Sequence, residues 1–257
     1  MRAEVELPLA LVVGFLLVLA RVAGALVYVP APGLSRGFEP ARIVLALALT
    51  ILLYPQWPMV GVLPTPVQLA GWIVADAALG ILAGLLVAFV AEAFQIAAQA
   101  VGLEAGFAYA SMVNPQTEAD SGVLLVFAQL TAGLLFLALG LDREVLRAFT
   151  TSLETFPPGK LVEAGPAFEL IMRLGAGMFS TGMRLAIPVL ALLALMDLAL
   201  ALVGRLNQQL QLLTLAFPLK MLAAVLMLAW LAPLWTRLLG AYGRQAAAGL
   251  GALFGSH

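Results

Sequence analysis

Six apolar stretches, each nearly free of charge, decide what this chain can fold into. They run from about Leu7 to Val29, Ala41 to Tyr54, Leu69 to Ala91, Val123 to Leu141, Leu174 to Val203 and Leu212 to Trp235. A helix needs roughly 20 mostly apolar residues to cross the hydrocarbon of a bilayer. The second stretch falls short of that length, and the fifth exceeds it enough to be tilted or broken. Composition agrees: the chain is 63% hydrophobic and 11% charged, where soluble domains run at about 45 to 50% apolar and about 25% charged. Too little polar surface remains to cover a water-soluble globule. The chain reads as an all-α integral membrane protein of about six hydrophobic helices and helical hairpins.

Several function classes drop out at once. A net charge of -1 with no basic cluster argues against nucleic-acid binding. The absence of cysteine removes disulfides and thiolate metal sites. The lone histidine, His257, follows Gly-Ser at the end of the sequence and reads as a tail. There is no H-E-x-x-H, no nucleophile elbow and no P-loop, and the six serines have no base beside them in sequence. The chain is therefore expected to be no enzyme and to use neither metal nor cofactor. The first stretch carries two glutamates where a signal peptide has its basic region, and its apolar run continues past Arg21, so it reads as a retained span.

Turn chemistry marks the linkers "YVPAPGLSRGFEPAR", "YPQWPMVGVLPTP" and "SLETFPPGKLVEAGPAF". No repeat period appears, and a single domain over residues 1–257 is expected. With six spans, Arg2, Arg143, Arg147, Lys160, Arg173, Arg237 and Arg244 fall on one side, against Arg36, Arg42 and Arg205 on the other. The positive-inside rule then places both termini in the cytoplasm.

Three constellations stand out against this background. The first is the set of ionisable residues inside apolar stretches: Arg21, Asp76, Arg184, Asp197 and Lys220. Each costs a few kcal/mol at the middle of a bilayer, so each needs a protein partner, water, or an interface within reach. Asp197 and Arg205, two helical turns apart, form the first expected pair.

The second is "AEAFQIAAQAVGLEAGFAYASMVNPQTEADSG". Glu92, Gln95 and Gln99 share one helical face, which Gly102 and Gly106 continue. This small-and-polar stripe is expected to press against a neighbour. Gly80 with Gly84, and Gly102 with Gly106, have the G-x-x-x-G spacing that permits close backbone approach. Beyond Gly106 the helical pattern ends in an apolar loop of Phe107, Tyr109, Met112 and Val113, turned at Asn114-Pro115. Irregular backbone at membrane depth is tolerated where protein buries it or where it lines a cavity. The loop therefore either lines or plugs a pore, or connects two helices at the headgroup surface.

The third is "GRLNQQLQLLTLAFPLK", in which Asn207, Gln211 and Thr214 share a face and Pro218 leaves the carbonyl of Thr214 without its helical donor. Such a polar tip on a hydrophobic hairpin is either buried by protein or exposed at the membrane surface.

The motifs recur in an order that identifies a family. "LARVAGALVYVPAPGLSRGFEPARIVLALALTILLYP" resembles the first helix, with its R-x-x-x-(G/A)-(L/I) continuation, of the FliR/SctT family of the type III protein-export gate. "QAVGLEAGFAYASMVNP" is similar to that family's G-x-x-x-G-F segment ending in (D/N)-P. "LLFLALGLDREVLRAFTTSLETFPPG" and "MDLALALVGRLNQQLQLLTLAFPLK" resemble its LLF helix and its F-P-L hairpin. The chain departs from the family pattern at Leu141-Asp142, where Gly-His is common, and at Gly204 and Gln208, where asparagine and proline are common.

The resemblance implies a FliR-type membrane protein; length and motif quality favour the flagellar branch, with the homologous injectisome branch as the alternative. It implies assembly with FliP and FliQ, with FlhB as a further partner, into a helical, pore-containing export gate. That gate lies in the bacterial inner membrane within the flagellar basal body, surrounded by lipid, and passes exported flagellar subunits. It identifies the loop from Gly106 to Gly122, including Phe107, Tyr109, Met112, Val113, Asn114 and Pro115, as the pore plug. Glu92, Gln95, Gln99, Gly102 and Gly106 become a subunit interface, and Asp197, Arg205, Asn207, Gln211 and Pro218 a polar hairpin facing subunits or the conduit. The rival from another class is an ion-coupled transporter using Asp76, Asp197 and Arg184 near a helix broken at Pro188.

Overall fold

In a computed structural model the described residues are 9–30, 39–58, 64–107, 123–156, 164–206 and 212–254. Among them the fold is all-α. Helices α1 (Leu9–Leu26), α2 (Pro40–Leu52), α3 (Pro66–Glu104) and α4 (Val123–Ala138) come first. They are followed by α5 (Leu141–Thr155), α6 (Ala164–Leu206), α7 (Leu212–Trp230) and α8 (Ala232–Phe254). A single 3₁₀ turn, Tyr54–Gln56, follows α2.

Local sequence explains where these helices begin and end. Pro40 sits in the first turn of α2, where a missing N–H costs nothing. Helix α3 opens on a reciprocal cap: the Thr65 N–H donates to Gln68 Oε1 at 3.0 Å, and the Gln68 N–H to Thr65 Oγ1 at 3.4 Å. It closes at Gly106, whose φ of 85° is left-handed and whose N–H donates to the Leu103 carbonyl. Gly140, with φ 69°, likewise separates α4 from α5. The stretch Val123 to Leu141 is therefore one helix and the start of another, not one straight span. Similarly the last apolar stretch breaks at Leu231, just before Pro233, and α8 continues to Phe254. Pro188, by contrast, lies inside an uninterrupted α6, which overturns the expectation of a helix broken there.

Among the described residues three helices can cross a membrane by length and composition: α1, α3 and α6. Two bent pairs, α4 with α5 and α7 with α8, raise the number to five if each pair counts as one span. The 39 residues of α3 rise about 58 Å and the 43 residues of α6 about 65 Å, roughly twice the 30 Å hydrocarbon thickness. The polar stripe from Glu92 onward thus belongs to the same helix as the apolar stretch before it.

The described residues form two compact units. One holds 1–89, 136–174 and 244–257; the other holds 90–135 and 175–243. In the first, Leu17 and Val18 of α1 and Leu86 of α3 are fully buried. Gly24, Gly80 and Gly84 let α1 and α3 touch through their backbones. A Cβ on Gly24 would stand 2.5 Å from the Ala77 carbonyl oxygen, and Cβ atoms on Gly80 and Gly84 would collide with the carbonyls of Arg21 and Ala25. The Gly80 and Gly84 spacing is therefore a real helix crossing. In the second unit Phe94 meets Trp235 edge-on at 5.0 Å, and Gly182 of α6 lies against the Ala93 carbonyl of α3.

Candidate functional site

The five ionisable residues inside apolar stretches fall into two junctions and one exposed cation. Arg21 and Asp76, each the lone charge in its stretch of α1 and α3, meet each other. The Arg21 Nε–H donates to Asp76 Oδ1 at 2.7 Å, and Nη2 donates to the same oxygen. Nη2 also donates to the Phe156 carbonyl at 3.0 Å, while Nη1 donates to the Ser152 carbonyl at 2.8 Å and to Ser152 Oγ at 3.1 Å. A guanidinium has five N–H donors, and here each one has an acceptor. The Ser152 Oγ–H in turn donates to the Phe149 carbonyl. The arginine therefore caps the carbonyl end of α5, where the helix dipole favours a cation, while Asp76 balances its charge. Side-chain exposure is 2% for Arg21 and 4% for Asp76, so this junction of α1, α3 and α5 is closed to solvent.

Arg42 plays a similar part, which its place beside a Pro-rich linker does not signal. Instead of standing in a loop, it is buried in α2 and donates to the carbonyls of Leu26 and Val29 at the end of α1. Its charge is spent on capping, so it does not belong among free loop charges in an orientation count.

The second junction is in the other unit. Asp197 pairs with Lys220 of α7, Nζ to Oδ2 at 2.8 Å, and not with Arg205. Eight residues along a helix amount to about 12 Å of rise, beyond salt-bridge reach, whereas the bond to Lys220 runs between two helices. Lys220 Nζ also stands 3.8 Å from Glu104 Oε1 at the end of α3. Three residues before Lys220, the Phe217 ring covers Gly106, so that a Cβ there would fall 2.5 Å from the ring. The end of α3 is thus held to α7 twice, by charge and by the edge of an aromatic ring. The cluster is open: side-chain exposure is 11% for Lys220, 47% for Asp197 and 42% for Glu104. Arg184, the fifth residue, is exposed on α6.

Of the polar stripe, Gln95 is buried and its Nε2 donates to Glu92 Oε1 at 3.4 Å, with Glu92 half-buried. Gln99 is exposed, Gly102 half-buried and Gly106 buried. Phe107, half-buried at the end of the α3 segment, borders a cavity of about 500 Å³ with Phe127, Thr131, Leu228 and Trp235. Tyr109, Met112, Val113, Asn114 and Pro115 lie outside the described residues, as do Asn207 and Gln211. Arg205, in the last turn of α6, and Pro218, inside α7, are both exposed.

Of the carboxylates an ion-coupled transporter would use, Asp76 has one oxygen held by two donors of Arg21, and Asp197 is held by Lys220. What the geometry offers is two helix clamps, one sealed and one accessible.

Comparison with known proteins adds the chain's kinship. Residues 12–245 match the family described as bacterial export proteins, family 1. The flagellar biosynthetic protein FliR of Escherichia coli (strain K12) is 30% identical over 207 residues, covering 79% of each chain. FliR of Caulobacter vibrioides is 29% identical over 228 residues, covering 86% of this chain and 90% of that one. FliR of Bacillus subtilis (strain 168) is 29% identical over 159 residues, covering 60% of each.

Proposed function

We propose a role for this chain from its kinship: it belongs to family 1 of the bacterial export proteins, the family of the flagellar biosynthetic protein FliR, and it acts as a subunit of the flagellar type III export gate. In this reading it joins FliP-like, FliQ-like and FlhB-like proteins in the bacterial inner membrane, at the flagellar basal body. Together they form the conduit for unfolded flagellar subunits. The flagellar branch is preferred to the injectisome one because the relatives named above are flagellar proteins.

One observation carries the reading. Only 17% of the apolar window of α6 is buried within the chain. Its open surface mixes large apolar groups, among them Phe179, Ile187, Leu195 and Leu202, with the charge of Arg184. The helix is about twice as long as the hydrocarbon is thick, and an exposed arginine is costly against lipid. Neighbouring protein subunits suit both features. Gln99 and Gly102, on the open side of the α3 stripe, belong to the same contact surface. The apolar loop after Gly106, with Phe107, Tyr109 and Met112, then closes the conduit as a hydrophobic constriction that excludes water and ions. Glu104 and Gly106, held by Lys220 and Phe217, anchor its root to α7.

Expression with and without its FliP-like and FliQ-like neighbours tests this reading. Alone, the chain should aggregate or be degraded; with them, it should accumulate and elute in one large complex. A stable, monodisperse monomer that ignores both neighbours would contradict the reading.

A further inference from the structure

We propose that Arg184 of α6 pairs, across a subunit contact, with the carboxylate of an aspartate or glutamate; that the neighbour is a gate subunit rests on the function proposed above. Around this residue α6 has two sides. Gly182, Leu185, Ala186 and Val189 are buried, and a Cβ on Gly182 would stand 2.8 Å from the Ala93 carbonyl oxygen of α3. Ser180, Arg184, Ile187 and Ala191, spaced at i, i+4, i+7 and i+11, share the open side. Exposed large apolar side chains flank the arginine in both directions, Phe179 and Met183 before it, Ile187 and Leu195 after it.

No ion pair among the described residues includes Arg184. On its own helix the nearest ionisable residues are Arg173 and Asp197, about 17 Å and 20 Å away along the axis, and Asp197 is held by Lys220. A neighbour that covers this side of α6 takes the guanidinium out of water, and a desolvated charge without a partner is strongly unfavourable. The neighbour must therefore bring an anion to this point. Arg21 shows, in the same chain, what a sealed arginine takes: two of its donors end on a carboxylate oxygen and the rest on a hydroxyl and carbonyls. Carbonyls alone offer about half an elementary charge at a helix end, too little to balance a full cation. A carboxylate matches both the charge and the fork of the guanidinium. A lipid phosphate has the same charge, but a headgroup layer at Arg184 would leave either Phe179 and Met183 or Ile187 and Leu195 on its watery side. A protein surface can cover both flanks.

The chain has no cysteine, so Ile187→Cys puts a single thiol beside Arg184 on the open side of α6. In the complex purified with FliP-like and FliQ-like partners, a photoreactive maleimide on that thiol should mark one segment of another subunit, and peptide mapping should find an aspartate or glutamate in it. Arg184→Glu should lower the yield of complex at least about tenfold, and changing the marked acidic residue to arginine as well should restore it. Arg184→Met, which keeps the stem and strands the partner's carboxylate, should also lower the yield. Adding an acidic-to-leucine change in the partner should bring it back, because an ion pair can be exchanged for apolar groups at little cost. Restoration by a second change separates a broken pair from a chain that no longer folds. The proposal is overturned if, in an intact complex, the probe marks only lipid, only this chain, or a segment without an acidic residue. It is equally overturned if Arg184→Glu leaves the yield unchanged, or if no charge exchange in the marked segment restores it. Failure of the unmodified chain to form any complex would defeat the gate reading together with this proposal; an intact complex indifferent to Arg184→Glu defeats this proposal alone.

Discussion

Two ion pairs of similar composition do different work in this molecule. Around Arg21 and Asp76, five donated hydrogen bonds end on one carboxylate oxygen, one hydroxyl and two backbone carbonyls. No guanidinium donor is left over, and the site is almost inaccessible. Around Lys220, one bond to Asp197 and a looser approach to Glu104 leave both carboxylates nearly half exposed. The physical difference is desolvation. A sealed pair has been taken out of water and must be satisfied from within, so removing one member strands the other. An open pair keeps much of its hydration and can exchange partners at small cost. The first is suited to fixing three helices permanently. The second, at the end of α3, is suited to a contact that can be remade.

The comparison can be broken by mutation, beginning with the sealed junction. Arg21→Leu removes all five bonds and leaves Asp76 charged and buried, a change that typically costs about 3 to 5 kcal/mol. The chain should fail to accumulate even with its neighbours present. A normal level of Arg21→Leu protein would show that the junction does not hold the fold. Next in size, Gly80→Leu drives a side chain into the backbone of α1 at Arg21. Overpacking of this kind costs about 1 to 3 kcal/mol, and the thermal midpoint of the purified complex should fall accordingly. Gly71→Leu, at a position with open space around it, supplies the control. Smallest is Lys220→Met, which keeps the stem and removes the charge. Its stability cost should stay near 1 kcal/mol once solvent screening of the half-exposed carboxylates is allowed for. A loss as large as that of Arg21→Leu would put the two junctions in one class and erase the distinction.

Sequence alone carried the architecture further than the contacts. Apolar length identified the helices, Gly80 and Gly84 marked a crossing that the structure realises, and the order of short motifs pointed to the family. Arg21 and Asp76 were visible as charges out of place, and two opposite charges, each alone in an apolar helix, are themselves a signal for pairing. Their pairing was not legible, because 55 residues separate them and helical periodicity says nothing about which faces of different helices meet. The same gap misdirected Asp197. Along-chain spacing suggested Arg205, whereas the partner reaches it from another helix, 23 residues away in sequence. Arg42 looked like a loop charge because Pro40 had marked a linker, yet Pro40 begins the helix that buries it. The breaks at Gly140 and Leu231 were hidden inside continuous apolar runs, where hydropathy has no contrast to report.

In the function proposed above, this chain walls a conduit and supplies part of its closure through the residues after Gly106. Ion conductance of cells carrying the assembled complex measures it directly. Deletion of Tyr109 to Pro115 should leave assembly intact and make the membrane leak small ions, while a deletion within Met59 to Leu63, in another linker, should not. A loop deletion that assembles normally, adds no conductance and still exports flagellar subunits would contradict the claim.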